Sequence, residues 1–280
     1  MAGTESIGKS DQLPEQMTSH PQGEASDGLL PGDHWTQTTN DLEQEDDDTD
    51  STLSANASST ASLTSEILRY REINGRHYHS EQGDAQYCQI DDCTQEWTFQ
   101  ENSFDYVHMR FLVGSIVDWT ALYKQAYKCL KPGGWIESHE AGPTIKSDDD
   151  SIPAESAMGQ WGKLFLEGGR RLQRPFSILE DDVQRQGMEE AGFTNIHEEE
   201  VKLLIGGWSS DPKTKEAGQY FQAAILQDVE GTLMFIANLL GWGKEEIHVF
   251  AARYRREIKS KNHHGYFLGK VVWAQKPHDA

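Results

Sequence analysis

"LKPGGWIESHEAG", residues 130–142, joins the end of a helix to the start of a strand, and the fold follows from that join. Upstream of it Trp119, Leu122, Tyr123, Ala126, Tyr127 and Leu130 recur at steps of three and four residues, which draws one apolar stripe along a helix with Asp118 as its N-cap. Pro132 biases Lys131 out of the helical region, and Gly133 and Gly134 take positive φ at little steric cost, so a tight turn is predicted there. Trp135 to Glu140 then mixes large and polar side chains, as a strand ending at the rim of a sheet does. Before the helix, Glu101-Asn102-Ser103 reads as a turn and Phe104 to Met109 as a second short strand. Strand, helix and strand make a βαβ unit, and such units build the parallel sheets of α/β proteins.

The charge is uneven along the 280 residues. Residues 1–62 carry thirteen acids against the single base Lys9, which is −12 of the net −21. That stretch is rich in Ser, Thr, Gln and Gly and shows no sustained apolar periodicity, so it reads as a disordered acidic tail that cannot offset its chain entropy by burial. The remaining body is also acidic and has only the short basic runs Arg170-Arg171 and Arg253-Tyr254-Arg255-Arg256, so direct nucleic-acid binding is not expected. Three scattered cysteines, Cys88, Cys93 and Cys129, build no disulfide framework and point to a reducing compartment; with His77, His79 and His108 they match no zinc-ligand spacing. The chain shows neither a signal-peptide pattern nor a stretch approaching the ~20 apolar residues of a membrane span. A soluble intracellular protein, cytoplasmic and/or nuclear, is the expectation.

The folded domain is expected to span residues 63–280. Leu63 to Ile73 is predicted as a short helix and Tyr87 to Ile90 as a strand ending in Asp91-Asp92. Helices are predicted over Gly159 to Arg171 and Glu180 to Ala191, the latter stopped by Gly192. Thr194 to Ile205 reads as a strand with Val201, Leu203 and Ile205 on one face. Residues 212–260 form an apolar helical insert, bent at Gly231, that packs on the sheet as structural mass or as a substrate wall. His264 to Ala274 is the closing strand.

These segments together resemble the class I S-adenosylmethionine-dependent methyltransferases, and among them the fungal LaeA-like group. The residues that carry the likeness are Tyr70 to His79, Ile90-Asp91-Asp92, Asn102 to Arg110, Gly114 to Trp119, "KQAYKCLKPGGWIESHE" (Lys124 to Glu140) and "EEAGFTNI" (Glu189 to Ile196), with Gly241-Trp242 and the closing strand extending it. The resemblance implies a Rossmann-like sheet of strand order 3-2-1-4-5-7-6 and S-adenosyl-L-methionine as cofactor. It further implies that Asp92 and the backbone of Cys93 meet the adenine, that His108 and Arg110 lie near the pocket floor, that Tyr78 and His79 close the cofactor side, and that His139 or Glu140 touches the methyl acceptor. No residue is assigned as a catalytic base.

The chain departs from the family between His79 and Ile90, where only Ser80 to Gln89 stands in place of the segment with the Gly-rich strand-to-helix turn and the ribose-binding acid. Loss of strands 1 and 2 leaves an incomplete sheet, strands 4-5-7-6, with Phe104–Met109 at an open edge. Two functions follow: a methyltransferase of the LaeA-like type tied to fungal secondary metabolism, or a catalytically dead pseudo-methyltransferase that binds a regulatory protein partner through its tail, edge and helical insert.

Overall fold

The computed structural model describes residues 28–37, 71–73, 76–78 and 93–279. At its centre is a four-stranded sheet made of β3 (Phe104–Arg110), β4 (Leu130–Lys146), β5 (Thr194–Leu204) and β6 (Tyr266–Gln275), in the order β3-β4-β6-β5. β3 and β4 are parallel, and β6 runs antiparallel to both its neighbours. This is the contiguous half of the sheet that the resemblance retains. β3 stands at one edge without a partner strand among the described residues. β1 (Arg71–Ile73) and β2 (Arg76–Tyr78) form a separate antiparallel pair, so Arg71 to Ile73 is strand rather than the end of a helix; the rest of that predicted helix and the Tyr87–Ile90 strand lie outside the described residues.

The helix α2 (Trp119–Cys129) forms as its stripe predicts, with the Asp118 carboxylate accepting from the Ala121 N–H at 2.8 Å. Its junction with β4 differs from the expectation. β4 starts at Leu130, directly after α2, and the Lys-Pro-Gly-Gly segment is a bulge in its ladder: Phe104 pairs with Leu130, while Tyr106 pairs with Trp135. Gly133 has φ +81, and a Cβ there would lie 2.4 Å from the His278 ring. The bulge is clamped to the end of β6 by Gly133 N–H to Lys276 O and Lys276 N–H to Gly134 O, each 2.9 Å. β4 also runs on past Glu140 to Lys146, because β6 extends alongside it as far as Tyr266.

β4 alternates strictly from Gly134 to Gly142. Ile136, Ser138 and Glu140 are fully buried on one face, under α2 and α4 (Val183–Ala191), in a core with Met109, Tyr123, Met188, Val272 and Ala274. Among the described residues the other face is covered only at its far end, where α3 (Ala157–Leu172), α5 (Pro212–Leu226), α6 (Val229–Leu239) and α7 (Lys244–Lys259) form a second core that reaches Ile145 and Phe267. The break in the helical insert falls at Gln227-Asp228 rather than Gly231. The Asp228 carboxylate caps α6 by accepting the Gly231 N–H at 2.9 Å, which leaves Gly231 inside the helix.

Part of the expected acidic tail is folded. α1 (Gly32–Gln37) docks on α7 with Trp35 1% exposed, its ring 4.8 Å from Phe250, and the Leu30 N–H donates to Gln160 Oε1 at 2.8 Å. The expectation of disorder therefore fails at 28–37, where the Trp35 indole is buried against Phe250 and Trp242; the rest of 1–62 lies outside the described residues. Trp35→Ala is expected to lower unfolding free energy by about 3 kcal/mol, read by urea denaturation. A loss below about 0.5 kcal/mol, the usual range of a surface substitution, would mean that α1 is not part of the core.

Candidate functional site

The parallel register of β3 and β4 sets His108 beside Glu137 and Arg110 beside His139, all on the less covered face of the sheet. His108 Nδ1 lies 3.0 Å from Glu137 Oε1. At the end of β3 the chain turns through Phe111, whose φ of +54 is rare for a bulky residue. That turn lays its ring 5.5 Å from the His139 ring, and the Arg110 guanidinium stacks over the same phenyl group at 4.6 Å. Burial holds the His139 pKa below the ordinary imidazole value, helped by the Arg110 charge and opposed by Glu137. His139 Nε2 is buried and has no hydrogen-bond partner among the described residues. A neutral imidazole with a free ring nitrogen beside a guanidinium can accept or relay a proton and orient a polar group. Three predicted site residues, His108, Arg110 and His139, are thus brought together.

Glu140 is not with them. The pleat that turns His139 toward this face turns Glu140 to the opposite one, so the expectation that either residue touches an acceptor is corrected for Glu140. Its carboxylate is fully buried and accepts the backbone N–H groups of Leu112 and Val113 at 2.9 and 3.1 Å. It anchors the segment from β3 to α2. Burial pushes its pKa up to about 7, although the two N–H donors pull the other way. Beneath it Gln184 Nε2 donates to Ser138 O at 2.9 Å and the Tyr123 hydroxyl to Ser138 Oγ at 3.1 Å, which completes a buried polar layer.

Cys93 sits in a turn whose carbonyl accepts the Trp97 Nε1–H at 3.1 Å, and Trp97 N–H donates to Gln125 Oε1 on α2; these bonds tie Cys93 to α2. Tyr78 ends β2, paired with Arg71. Asp92 and His79 lie outside the described residues. Glu137, absent from the predicted set, proves central to the open face; its alternation with Trp135 and His139 is the signal that would have found it.

The implied cofactor needs a strand-to-helix turn in which a glycine lets it approach the backbone. The turn between β3 and α2 has one, Gly114, with φ +78. The space over it is taken: a Cβ there would lie 2.3 Å from the Phe176 ring. Phe176 therefore keeps an adenosyl group out of the β3–α2 turn, and residues 79–92, where the chain departs from the family's Gly-rich segment, lie outside the described residues. The described residues hold no group of three or more His, Cys, Asp or Glu placed for a metal ion. No helix among them is long and apolar enough to cross a membrane.

A family model described as a methyltransferase domain matches residues 53–198, just over half of the chain. The chain is similar to methyltransferase pytC of Aspergillus terreus, 33% identical over 193 residues, which cover 68% of this chain and 58% of that protein. It is similar also to the secondary metabolism regulator laeA of Gibberella zeae, 31% identical over 185 residues, 65% of this chain and 58% of that one. The chain thus spans less than two thirds of the length of these relatives. Among solved structures, Haemonchus contortus phosphoethanolamine N-methyltransferase 2 in complex with S-adenosyl-L-methionine matches 67% of this chain and 36% of its own at 22% identity, with a TM-score of 0.35, too loose a superposition to bear on the site.

The Glu140 pKa fixes a pH dependence. A folded-state value raised to about 7 from 4.5 means that the native state holds the extra proton, so stability falls as pH rises from about 4.5 to about 7 and levels off above it. Glu140→Gln, which keeps an acceptor for both N–H groups, is expected to remove that slope. Urea midpoints at pH 5, 6 and 7 measure it, and parallel slopes in the two proteins would refute the assignment.

Proposed function

We propose a regulatory binding role for this chain, which belongs to the methyltransferase-domain family and has the LaeA-like secondary metabolism regulators among its relatives. In this role it acts in the control of fungal secondary metabolism, in the cytoplasm and/or nucleus, through contact with another protein. Residues 63–280, with the segment 28–37 docked on α7, are the acting domain. The observation that carries the reading is the Phe176 ring packed on Gly114, which closes the glycine turn between β3 and α2.

A second reading, transfer of a methyl group from S-adenosylmethionine, is favoured by the cluster of His108, Arg110 and His139, where the imidazole of His139 on β4, with Nε2 unpaired among the described residues, stands opposite Arg110. Family membership implies this cofactor and leaves the acceptor open.

Calorimetric titration of the full chain with S-adenosylmethionine separates the two. The binding role predicts no saturable heat up to millimolar ligand in a sample that is folded by circular dichroism. Saturable binding at micromolar concentration would overturn it in favour of methyl transfer, and Arg110→Ala would then be expected to weaken that binding.

Gly114→Ala tests the observation itself. It puts a methyl group against Phe176 at positive φ and is expected to cost about 2 kcal/mol or more. Combined with Phe176→Ala it should cost less than the two single changes together. Additive costs would mean that the ring does not fill the turn.

A further inference from the structure

The half of the sheet face that the helical layer leaves uncovered is a groove of about 580 Å³ across all four strands. Its floor is Tyr106, Trp135, Val271 and Trp273, and its acids are Glu137, Glu199 and Asp105, the last paired with Lys131 Nζ at 2.8 Å. The β ladder puts Glu137 directly opposite Trp273, with Trp135 two residues along the same strand, so a carboxylate stands between two indoles. Two groups hold it there: His108 Nδ1 at 3.0 Å, and the Tyr106 hydroxyl, whose pKa is raised by burial and by the charge and hydrogen bond of Glu137. Glu199 opposes Val271 on β5 and has no ion pair among the described residues. Tyr106 is 52% exposed, a large aromatic surface at a sheet edge that has no partner strand among the described residues.

Flat aromatic faces beside carboxylates attract cations through the ring quadrupole and the carboxylate charge together. We propose that this groove is a docking surface for a basic segment of a partner protein, one that lays Arg or Lys side chains along Trp135 and Trp273 next to Glu137 and Glu199 and its apolar side chains over Tyr106 and Val271. The inference rests on the binding role proposed above and names the surface and the chemistry of its partner. Charge complementarity selects the occupant. Residues 38–62 of this chain carry seven acids and neither Lys nor Arg, so the groove repels them. A segment rich in Arg matches it, and Arg also stacks flat on indole as Lys does not.

Fluorescence anisotropy of a labelled peptide of about twelve residues alternating Arg and Leu, titrated with the full folded chain, tests this, with a Glu/Leu peptide as control. The Arg peptide is expected to bind and the Glu peptide not. Glu137→Gln combined with Glu199→Gln should weaken binding about tenfold or more, and Trp273→Ala by a similar factor, while unfolding midpoints of the isosteric double variant stay near the parent's. Binding that ignores these substitutions would assign the affinity to general acidity and overturn the proposal. So would no binding at millimolar peptide, whether residues 63–92 or a second copy fills the groove. The parallel titration with S-adenosylmethionine keeps the two failures apart: cofactor binding sinks the regulatory role, whereas peptide results that fail without it sink the groove alone.

Discussion

The pleat of β4 is the constraint on which the rest of the structure depends. Successive side chains of a strand point to opposite faces, and β4 holds that alternation through Ile136, Glu137, Ser138, His139 and Glu140 while it is paired on both sides. Shifting it by one residue would bring Glu137 and His139 under α2 and expose Ile136. The hydrophobic seat of Ile136 among Met109, Val272 and Ala274 therefore aims the whole open face, including the groups that carry chemistry. The bulge at Lys131–Gly134 takes up extra residues before that register begins, so the turn-like sequence and the long strand are compatible.

Burial of charge is handled differently on the two sides of that strand. Lys276 is 5% exposed, yet its ammonium donates to Tyr127 O, Leu130 O and Asn102 Oδ1 at 3.0, 2.8 and 2.9 Å. The first two are carbonyls at the end of α2, where the helix dipole favours a cation. The cost of desolvation appears as a lowered Lys276 pKa, and the three acceptors offset it. Glu140 is the mirror case, a buried carboxylate with two backbone donors and a raised pKa. One staples the end of β6 to the end of α2, and the other fixes the start of the connection that leads from β3 to α2.

Much of this was legible in the residues, and the rest was hidden for physical reasons. The α2 stripe, the Asp118 cap, the Gly192 stop with φ +99 and the contiguous order of four strands came from local periodicity and resemblance. The length of β4 did not, because Pro-Gly-Gly carries the same signal for a turn as for a bulge, and only the pairing with β6 decides. The docking of α1 was hidden because six residues with one large apolar side chain have no period, and the energy comes from Phe250 and Trp242, more than two hundred residues away. In the site, the resemblance pointed to His108, Arg110 and His139, which the register of β3 and β4 brings together on one face. Glu140 was misplaced because a strand thought to end there puts both neighbours at a rim, whereas a strand that continues separates them by face.

The position of β6 has a consequence for how this chain acquires its shape. β6 is the last strand in sequence and lies in the middle of the sheet, between β4 and β5. While the ribosome works through the residues between β4 and Tyr266, β4 has no partner on that flank and β5 has none at all. Both wait, with apolar surface uncovered, for one late segment to slot between them. Assembly of the sheet is therefore dominated by distant contacts, which slow folding and expose the nascent chain to chaperones and to mispairing. The fold is completed as a keystone completes an arch.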